Sequence, residues 1–431
     1  MPNKNIFCNI PWFELNINND GSFDLCGCQN DKIINTELGE EWNIKKMTID
    51  EYWNSTRMQE KRNIKLGDTV DPMCKMCQMK DQAGYTSARQ KENLKSVIFQ
   101  DAFDRSFEQS PHKELFTEVT ESNIHSLHLN IGNTCNLACK FCAPEASSRI
   151  ASFQRSAKWI PETWKLEPWI KDAVAYQNFR DWFDNNYKHL KVVHLIGGEP
   201  ALIDEFADLI DLFSEHDMKH LNLSFTTNGT YTYNEYAKQF KKFKRVEIGI
   251  SIETADESNN YIRTGSNIDE ILENITSMQK KMPFVDFAFR TVPNLLSVGR
   301  YHTLLKEGLK RRIPIDASYP HRPSWMMSEL LPDGHKELAI KHLQEFADSI
   351  KLDSKKFNNT KNANNVELSL KREAEALIKH LQRPVGDEDE AFRRRAEAAS
   401  RIATQDRYHG ISIFDSIPEY FGWLREHGYS N

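Results

Sequence analysis

The chain has 431 residues, a formal net charge of −6, 39% hydrophobic residues and 27% charged residues. This length suggests two or three domains, the composition is that of an ordinary globular enzyme, and the negative charge argues against a nucleic-acid partner. No apolar run approaches the roughly 20 residues that span a bilayer. The N-terminus also lacks the apolar core of a signal peptide. We therefore expect a cytoplasmic protein with no membrane partner.

Eight cysteines fall into two groups, and none lies beyond residue 142. Disulfides are disfavoured in the cytoplasm, so metal binding or catalysis is the expected use of these thiols. The first group contains Cys8, Cys26, Cys28, Cys74 and Cys77, and the second contains Cys135, Cys139 and Cys142.

The first group lies in residues 1–95, where short strand-like runs mix with turns such as NNDG and LGD. This pattern predicts a cysteine-rich α+β domain, followed by a linker over residues 96–122. Paired cysteines suit tetrahedral zinc as well as an iron–sulfur cluster, so the sequence leaves both metals open at this point.

Six apolar, β-branched runs then follow at spacings that suit strand–helix alternation. They are SLHLNI (126–131), KVVHLI (191–196), LNLSFTT (221–227), RVEIGISI (245–252), VDFAFRTV (285–292) and IDASYP (315–320). Amphipathic helical patterns lie between several of them, at residues 206–216 and 269–281. Such units pair in parallel through right-handed crossovers. The sequence therefore predicts an α/β fold, a partial (β/α)6 TIM-like barrel over residues 123–325, with its chemistry at the carboxyl ends of the strands.

Residues 326–431 are mainly helical in pattern, with three predicted helices at 336–350, 366–382 and 390–403 and a polar loop at 353–365. We expect this region to pack on residues 1–95. The long first crossover, residues 151–190, contains Trp159, Trp164, Trp169 and Trp182. These tryptophans suit either plain packing or a lid over a ligand.

The second cysteine group, in the run CNLACKFC, directly follows the first barrel strand. Three thiolates on one loop can bind three irons of a cubane and leave the fourth iron open to a small chelating molecule, whereas iron–sulfur clusters otherwise take four cysteines. A zinc site or a chance grouping of buried cysteines is the alternative.

The next two strand ends carry candidate ligand contacts. The second strand ends in IGGEP, where Gly197 and Gly198 allow the backbone to approach a ligand closely and Glu199 can accept a hydrogen bond from an ammonium group. The third strand ends in TTNG, which offers Thr227. Both runs also suit ordinary turns.

The fourth strand ends in SIE, with Ser251 and Glu253, and Arg263 follows in YIRTG. The fork of an arginine suits a carboxylate bidentately, although a helix surface charge is the plainer reading. The fifth strand leads to Asn294.

The cysteine spacing and the order of these motifs over residues 123–323 resemble the radical S-adenosylmethionine (SAM) enzyme family. In that family an aromatic side chain stands near the last cysteine, and here Phe141 precedes Cys142. The resemblance implies a 4Fe–4S cluster on Cys135, Cys139 and Cys142, with its open iron chelated by SAM.

The resemblance also implies roles for the strand ends. The turn of Gly197, Gly198 and Glu199 would contact the amino group of the methionine moiety. Ser251 and Arg263 would bind its carboxylate. The outer contacts would be Phe141 near the adenine and Asn294 at the ribose, with Thr227 and Glu253 as further polar candidates.

The spacing Cys8-x12-Gly21-x4-Cys26, followed by Cys74-x2-Cys77, resembles the auxiliary-cluster modules called SPASM and twitch domains. Two departures stand out: the module precedes the barrel, and five cysteines are too few for two clusters. The resemblance therefore implies one auxiliary 4Fe–4S cluster on Cys8, Cys26, Cys74 and Cys77. Cys28 is then a small apolar residue, an alternative ligand or a hydrogen-atom donor.

Taken together, the resemblance implies reductive cleavage of SAM to a 5′-deoxyadenosyl radical that abstracts a hydrogen atom from a substrate. An electron donor such as flavodoxin or ferredoxin would be needed, and the auxiliary cluster would assist oxidation or substrate binding. The substrate is expected to be a small molecule, a sugar or a peptide, and the absence of an obvious leader-binding module slightly favours a small molecule or short motif. The alternative is a noncatalytic iron–sulfur or zinc protein that uses the barrel as a scaffold. Such a scaffold has no need for the GGEP, Ser251 and Arg263 set.

Overall fold

The computed structural model describes residues 8–26, 34–35, 40–66, 74, 77–78, 81, 87–95, 124–318, 323–351 and 366–430. Cys28, the linker predicted over residues 96–122 and the loop predicted over residues 353–365 lie outside the described residues.

The N-terminal part combines short helices and strands, as an α+β region should. Its helices are α1 (Ile10–Phe13), α2 (Ile49–Trp53), α3 (Thr56–Leu66) and α4 (Ala88–Lys95), and its strands are β1 (Glu14–Ile17), β2 (Phe23–Asp24), β3 (Ile34–Asn35) and β4 (Glu40–Glu41). A capping box starts α2, because the Thr48 hydroxyl accepts from the Glu51 N–H and the Glu51 carboxylate accepts from the Thr48 N–H.

All six predicted barrel strands are confirmed. They are β5 (Ser126–Asn130), β6 (Val192–Ile196), β7 (Met218–Thr227), β8 (Phe243–Ser251), β9 (Asp286–Thr291) and β10 (Ile315–Ala317). The helices of this part are α5 (Ser148–Ser156), α6 (Ala173–Asn186), α7 (Asp204–Ser214), α8 (Ala237–Phe240), α9 (Ser258–Ile262), α10 (Ile268–Lys281) and α11 (Tyr301–Arg311). The two helices predicted from their apolar faces are α7 and α10, and both are confirmed.

The strands form one open sheet in the order β10-β9-β8-β7-β6-β5-β1-β2. Every neighbouring pair from β10 to β1 is parallel, and only β1 and β2 are antiparallel. The N-terminal part is thus joined to the barrel, since β1 pairs with β5 in the register Leu15↔Leu127. The sequence analysis did not predict this seventh parallel strand, because ELNI is short and its partner lies more than a hundred residues away.

The two faces of the sheet differ in chemistry. One face carries large apolar side chains that are fully buried under the helices, for example Leu127, Leu195, Phe225, Ile248 and Phe289. On the other face the alternate positions of β5, β6 and β7 are only half-buried. A closed TIM barrel fills its interior with branched apolar side chains, so this half-buried concave face has room for a ligand.

The C-terminal part contains α12 (Asp333–Ser349), α13 (Val366–Leu381), α14 (Glu388–His409), α15 (Ile413–Ser416) and α16 (Phe421–Glu426). The three predicted helices are confirmed as α12, α13 and α14. The contacts described for this part are with the barrel: α11 packs on α12 and α13, and the Tyr420 hydroxyl donates to the Leu295 carbonyl at 2.9 Å. Packing of this region on residues 1–95 stays a prediction.

In the described part of the chain, no helix is both long and apolar enough to cross a bilayer.

The pairing of β1 with β5 predicts that the N-terminal part shares the core of the barrel. Leu15→Ala should lower the free energy of unfolding by about 2–5 kcal/mol, because Leu15 is fully buried and its removal leaves a cavity. Denaturant unfolding of the full chain measures this. Leu338→Ala is the control, since Leu338 is 49% exposed and should change stability by no more than about 0.5 kcal/mol. Equal, small effects of the two substitutions would contradict a shared core.

Candidate functional site

A cavity of about 350 Å³ opens at the carboxyl ends of the barrel strands, a volume within the range of small-molecule sites. It gathers residues that are far apart in the sequence but follow successive strands. The predicted site residues in its wall are Cys135, Cys139, Phe141, Cys142, Gly197, Gly198, Thr227, Ser251 and Arg263. Glu199, Glu253 and Asn294 lie behind this wall, where they hold other residues in place.

The cysteine loop, residues 135–142, is held by backbone hydrogen bonds to the segment after α9. The N–H of Ala138 donates to the Thr264 carbonyl and the N–H of Lys140 to the Ile262 carbonyl, both at 2.9 Å. On its other side the Ser147 hydroxyl donates to the Leu137 carbonyl at 2.8 Å. The backbone of the cysteine loop between Leu137 and Lys140 is therefore held by segments outside the loop itself.

Burial raises the pKa of all three thiols of the cysteine loop. The pKa of Cys139 rises to about 11, although the nearby Arg263 guanidinium opposes the rise. For Cys135 the Leu137 N–H and the Asn228 amide also oppose it, at 3.4 Å and 3.9 Å from the sulfur. Thiols buried in this way become thiolates when a metal binds. Three soft ligands, two of them with N–H donors aimed at their sulfurs, suit an iron–sulfur cluster.

Within the described ranges, His, Cys, Asp and Glu side chains form no group of three or more that could hold a single metal ion. That finding covers Cys8, Cys26, Cys74 and Cys77 as well, so their predicted cluster stays a prediction. Cys8 and Cys26 do pack together with Ile10 in a small buried cluster. The four thiols are not joined in disulfides.

The two glycines after β6 allow the GGEP turn to lie against the chain that leads into the cysteine loop. Gly197 has a φ of 144°, which L side chains rarely adopt. A Cβ on Gly198 would stand 2.0 Å from the Thr134 carbonyl oxygen. The N–H groups of Gly198 and Glu199 donate to the carbonyls of Gly132 and Thr134, both at 2.8 Å. Glycine is thus needed here for close backbone packing.

The Glu199 carboxylate is fully buried and joins the end of β6 to the end of β7. It accepts hydrogen bonds from the Thr227 hydroxyl at 2.8 Å, the Asn228 N–H at 2.7 Å and the Tyr233 hydroxyl. Burial raises its pKa, and these donors partly offset the rise. In this arrangement Glu199 positions Thr227 and Asn228, and its predicted contact with a ligand stays a prediction.

Glu253 plays the same part between β8 and β9. It is fully buried and accepts from Arg263 Nη2 at 2.5 Å, the Thr291 hydroxyl at 2.9 Å and the Val292 N–H at 2.9 Å. The carboxylate therefore fixes the arginine that the sequence analysis assigned to the methionine carboxylate.

Arg263 reaches the cysteine loop from this anchor. Its Nη1 lies 3.7 Å from the Cys139 sulfur, and its guanidinium carbon is 5.5 Å from the centre of the Phe141 ring. Burial lowers the Arg263 pKa, but Glu253 and Cys139 raise it by more, so the group is a firm cation. Its buried Nε has no partner among the described residues. A cation with an unfilled donor at a cavity wall suits an anionic ligand group such as a carboxylate.

Asn294 holds a turn after β9. Its side-chain amide donates to the Val292 carbonyl at 2.8 Å and accepts from the Leu296 N–H at 2.9 Å, and the residue is fully buried. The predicted ribose contact stays a prediction.

A row of polar residues crosses the concave face, and the sequence analysis missed it. Asn16, His128, His194, Ser224 and Glu247 stand opposite one another on five adjacent strands. His194 Nδ1 is 2.7 Å from the Ser224 hydroxyl, and the two histidine rings are 5.4 Å apart. The signal was present in SLHLN and VVHLI, where polar residues alternate with buried apolar ones. A pattern of period two places them on the face opposite the helices.

Arg290 and Asp316, which stand opposite each other on β9 and β10 nearer the carboxyl ends of the strands, line the cavity. Arg290 donates to Glu247 at 2.6 Å and to Asp316 at 2.6 Å. The cavity therefore runs from the three thiols at one side to a charged group at the other.

The tryptophans of the first crossover divide into two pairs. Trp169 and Trp182 are buried. The indole N–H of Trp169 donates to the Asn130 carbonyl at 2.9 Å, and the backbone N–H of Trp169 donates to the Asn19 carbonyl at 2.9 Å. Trp169 is therefore packed between the barrel and the N-terminal part, whereas Trp159 and Trp164 are half-exposed.

Residues 129–289 match the family model of the Radical SAM superfamily. The match begins within β5 and ends within β9, so it contains the cysteine loop, the GGEP turn and Arg263. These residues therefore form a radical SAM domain. The match implies a 4Fe–4S cluster and SAM, which the donor set of the cysteine loop fits. None of the curated proteins matches the chain.

Solved structures match parts of the chain at low identity and with low TM-scores. "Native anSMEcpe with bound AdoMet" is 18% identical, and the match covers 52% of this chain and 61% of that chain with a TM-score of 0.38. "Crystal structure of Streptococcus suis SuiB bound to precursor peptide SuiA" is 13% identical over 73% of this chain and 66% of that chain, with a TM-score of 0.37. The chain thus spans about three fifths of the first of these proteins.

The Glu253 anchor predicts that SAM affinity depends on a residue behind the cavity wall. Glu253→Gln should weaken SAM binding about tenfold, because Arg263 loses a charged partner worth about 1.5–3 kcal/mol and is no longer fixed in direction. Equilibrium dialysis of SAM against the anaerobically reconstituted chain measures this.

Asp286→Asn is the matched control. Asp286 pairs with Arg245, is 56% exposed, and lies at the start of β9, at the end of the strand away from the cavity. The SAM affinity of Asp286→Asn protein should equal that of the unchanged chain. Wild-type affinity in Glu253→Gln protein with a full cluster would contradict the assigned role of Arg263.

Proposed function

We propose that the chain cleaves SAM reductively and abstracts a hydrogen atom from a polar substrate bound in the barrel. The observation that carries this proposal is one cavity that joins three thiols, a buried arginine with an unfilled donor and the GGEP turn at the ends of successive strands. When bound to Cys135, Cys139 and Cys142, the cluster supplies the electron that cleaves SAM into methionine and a 5′-deoxyadenosyl radical. In this proposal a separate electron-transfer protein such as flavodoxin or ferredoxin supplies that electron.

The residues of the chain bind and orient the reactants. Arg263, fixed by Glu253, binds the methionine carboxylate together with Ser251, and the backbone of the GGEP turn receives the amino group. Phe141 packs against the adenine. Tight positioning is required, because a primary carbon radical reacts with the nearest C–H bond. Two buried carboxylates behind the wall support this positioning, since each joins neighbouring strand ends through three hydrogen bonds.

In this proposal the substrate lies over the concave face of the sheet. Polar side chains on this face, from His194 to Arg290 and Asp316, favour a substrate that offers hydrogen-bonding groups. A small polar metabolite, a sugar and a short peptide segment all satisfy this requirement. Deuterated candidates identify the substrate, because only the true one transfers deuterium into 5′-deoxyadenosine.

The proposal also includes an auxiliary 4Fe–4S cluster on Cys8, Cys26, Cys74 and Cys77 that assists oxidation or substrate binding. Two contacts support it. Cys8 and Cys26 pack together, and the Asn9 N–H donates to the Asn93 side chain in α4 at 3.1 Å. The residue after Cys8 is thus tied to the helix that follows Cys74 and Cys77 in the chain.

SAM cleavage is the direct test of the proposal. The full chain, reconstituted with iron and sulfide under anaerobic conditions, reduced with dithionite and given SAM, should form 5′-deoxyadenosine that mass spectrometry detects. Cys139→Ser should abolish the product, because the loop then lacks one of three ligands. Cys8→Ser is the control for a lost cysteine and should retain cleavage. No product from fully loaded protein would favour the noncatalytic scaffold instead.

Metal content tests the auxiliary cluster separately. The reconstituted chain should bind about eight irons, and the variant without Cys135, Cys139 and Cys142 should keep about four, since each cubane holds four. Elemental analysis measures both values. About four irons in the unchanged chain and almost none in the variant would reject the second cluster, and zinc in their place would favour the zinc reading.

A further inference from the structure

Asp406, near the end of α14, binds the cysteine loop from 266 residues away in sequence. Its Oδ1 accepts from Lys140 Nζ at 2.7 Å and from the Tyr261 hydroxyl at 2.8 Å. Its Oδ2 accepts from the Ile413 N–H and the Tyr429 hydroxyl, both at 2.9 Å. The carboxylate thus joins three parts of the chain: the cysteine loop, the segment after β8 and the C-terminal tail (residues 405–429).

Lys140 lies between two predicted iron ligands, Cys139 and Cys142, and its side chain is fully buried. Besides Asp406 it meets the face of the Tyr261 ring, with Nζ 4.5 Å from the ring centre. Its carbonyl accepts from the Gln405 side chain at 3.1 Å. Both the backbone and the side chain of this residue are therefore held by the C-terminal tail.

A buried ion pair of this kind is weak evidence for stability, because desolvation of two charges cancels most of their attraction. Its geometric effect is clearer. A lysine ammonium that leaves Asp406 becomes an unpaired buried charge, so the loop is confined to the arrangement in which the pair is formed.

We propose that Asp406 is a positioning residue for the cluster of the cysteine loop: it fixes Lys140, and through Lys140 the backbone between Cys139 and Cys142. The C-terminal tail is then part of the cofactor site, although it contains no cysteine. This inference rests on the proposed cluster at Cys135, Cys139 and Cys142.

Hydrogen exchange in the cluster-free full chain tests the positioning without the cofactor. In Asp406→Asn protein the amides of Ala138 and Lys140, which donate to the Thr264 and Ile262 carbonyls, should exchange at least tenfold faster than in the unchanged chain. Amides of α10 should keep their rates, because a general loss of stability would speed both sets. Glu419→Gln is the matched control: it loosens the tail at its contact with Arg300, 2.8 Å away, without touching the loop.

Two readouts of the loaded protein test the consequence for the cofactor. The SAM-induced change in the electron paramagnetic resonance spectrum of the reduced cluster should weaken in Asp406→Asn protein. The dissociation constant of SAM should rise at least tenfold. Lys140→Met with Asp406→Leu removes both charges and leaves no unpaired buried charge, so it is the second variant for the case in which the single variant fails to fold, and it should show the same two changes.

Wild-type exchange rates in the loop and wild-type SAM binding in both the single and the double variant would overturn the inference. If the unchanged chain binds no cluster, the proposed function fails instead, and the exchange experiment still decides whether Asp406 positions the loop.

Discussion

Parallel pairing brings the carboxyl ends of β5 to β9 to one rim, and the candidate site depends on how these ends are held at fixed distances. Two buried carboxylates do this in the same way. Glu199 follows β6 and accepts from a threonine hydroxyl and the next N–H at the end of β7, while Glu253 follows β8 and accepts from a threonine hydroxyl and the next N–H at the end of β9. Each carboxylate thus joins two adjacent strand ends.

A buried carboxylate is costly unless its oxygens are hydrogen-bonded, so each arrangement tolerates little change. The third donor differs between the two. Glu199 receives the Tyr233 hydroxyl, whereas Glu253 receives the Arg263 guanidinium. The first arrangement brings only neutral donors to its carboxylate, whereas the second holds a guanidinium beside Cys139. The Glu199 arrangement therefore holds backbone at its two strand ends, whereas the Glu253 arrangement also holds the cation that suits an anionic ligand.

Local pattern explains why the sequence analysis predicted the strands and the cysteine loop. Runs such as RVEIGISI are long, apolar and β-branched, and the triplet is defined by spacing alone. Pattern does not name long-range partners. β1 was missed because its pairing with β5 is not written in ELNI, and Asp406 resembled any acidic residue of a polar helix. Glu199 and Glu253 were predicted as ligand contacts by position, yet their hydrogen bonds are made behind the cavity wall.

The segment 261–264 connects these arrangements. The Tyr261 hydroxyl donates a hydrogen bond to Asp406. The carbonyls of Ile262 and Thr264 accept hydrogen bonds from backbone N–H groups of the cysteine loop. Arg263 pairs with Glu253 and approaches Cys139. Within this short stretch, Tyr261 thus faces the C-terminal tail and Arg263 faces the cavity. A shift of Asp406 would displace Tyr261 and the loop together, and Arg263 with them, since the backbone between them is continuous. The tail, the thiols and the arginine therefore form one mechanical unit, in which a residue that touches no ligand controls the geometry of those that do.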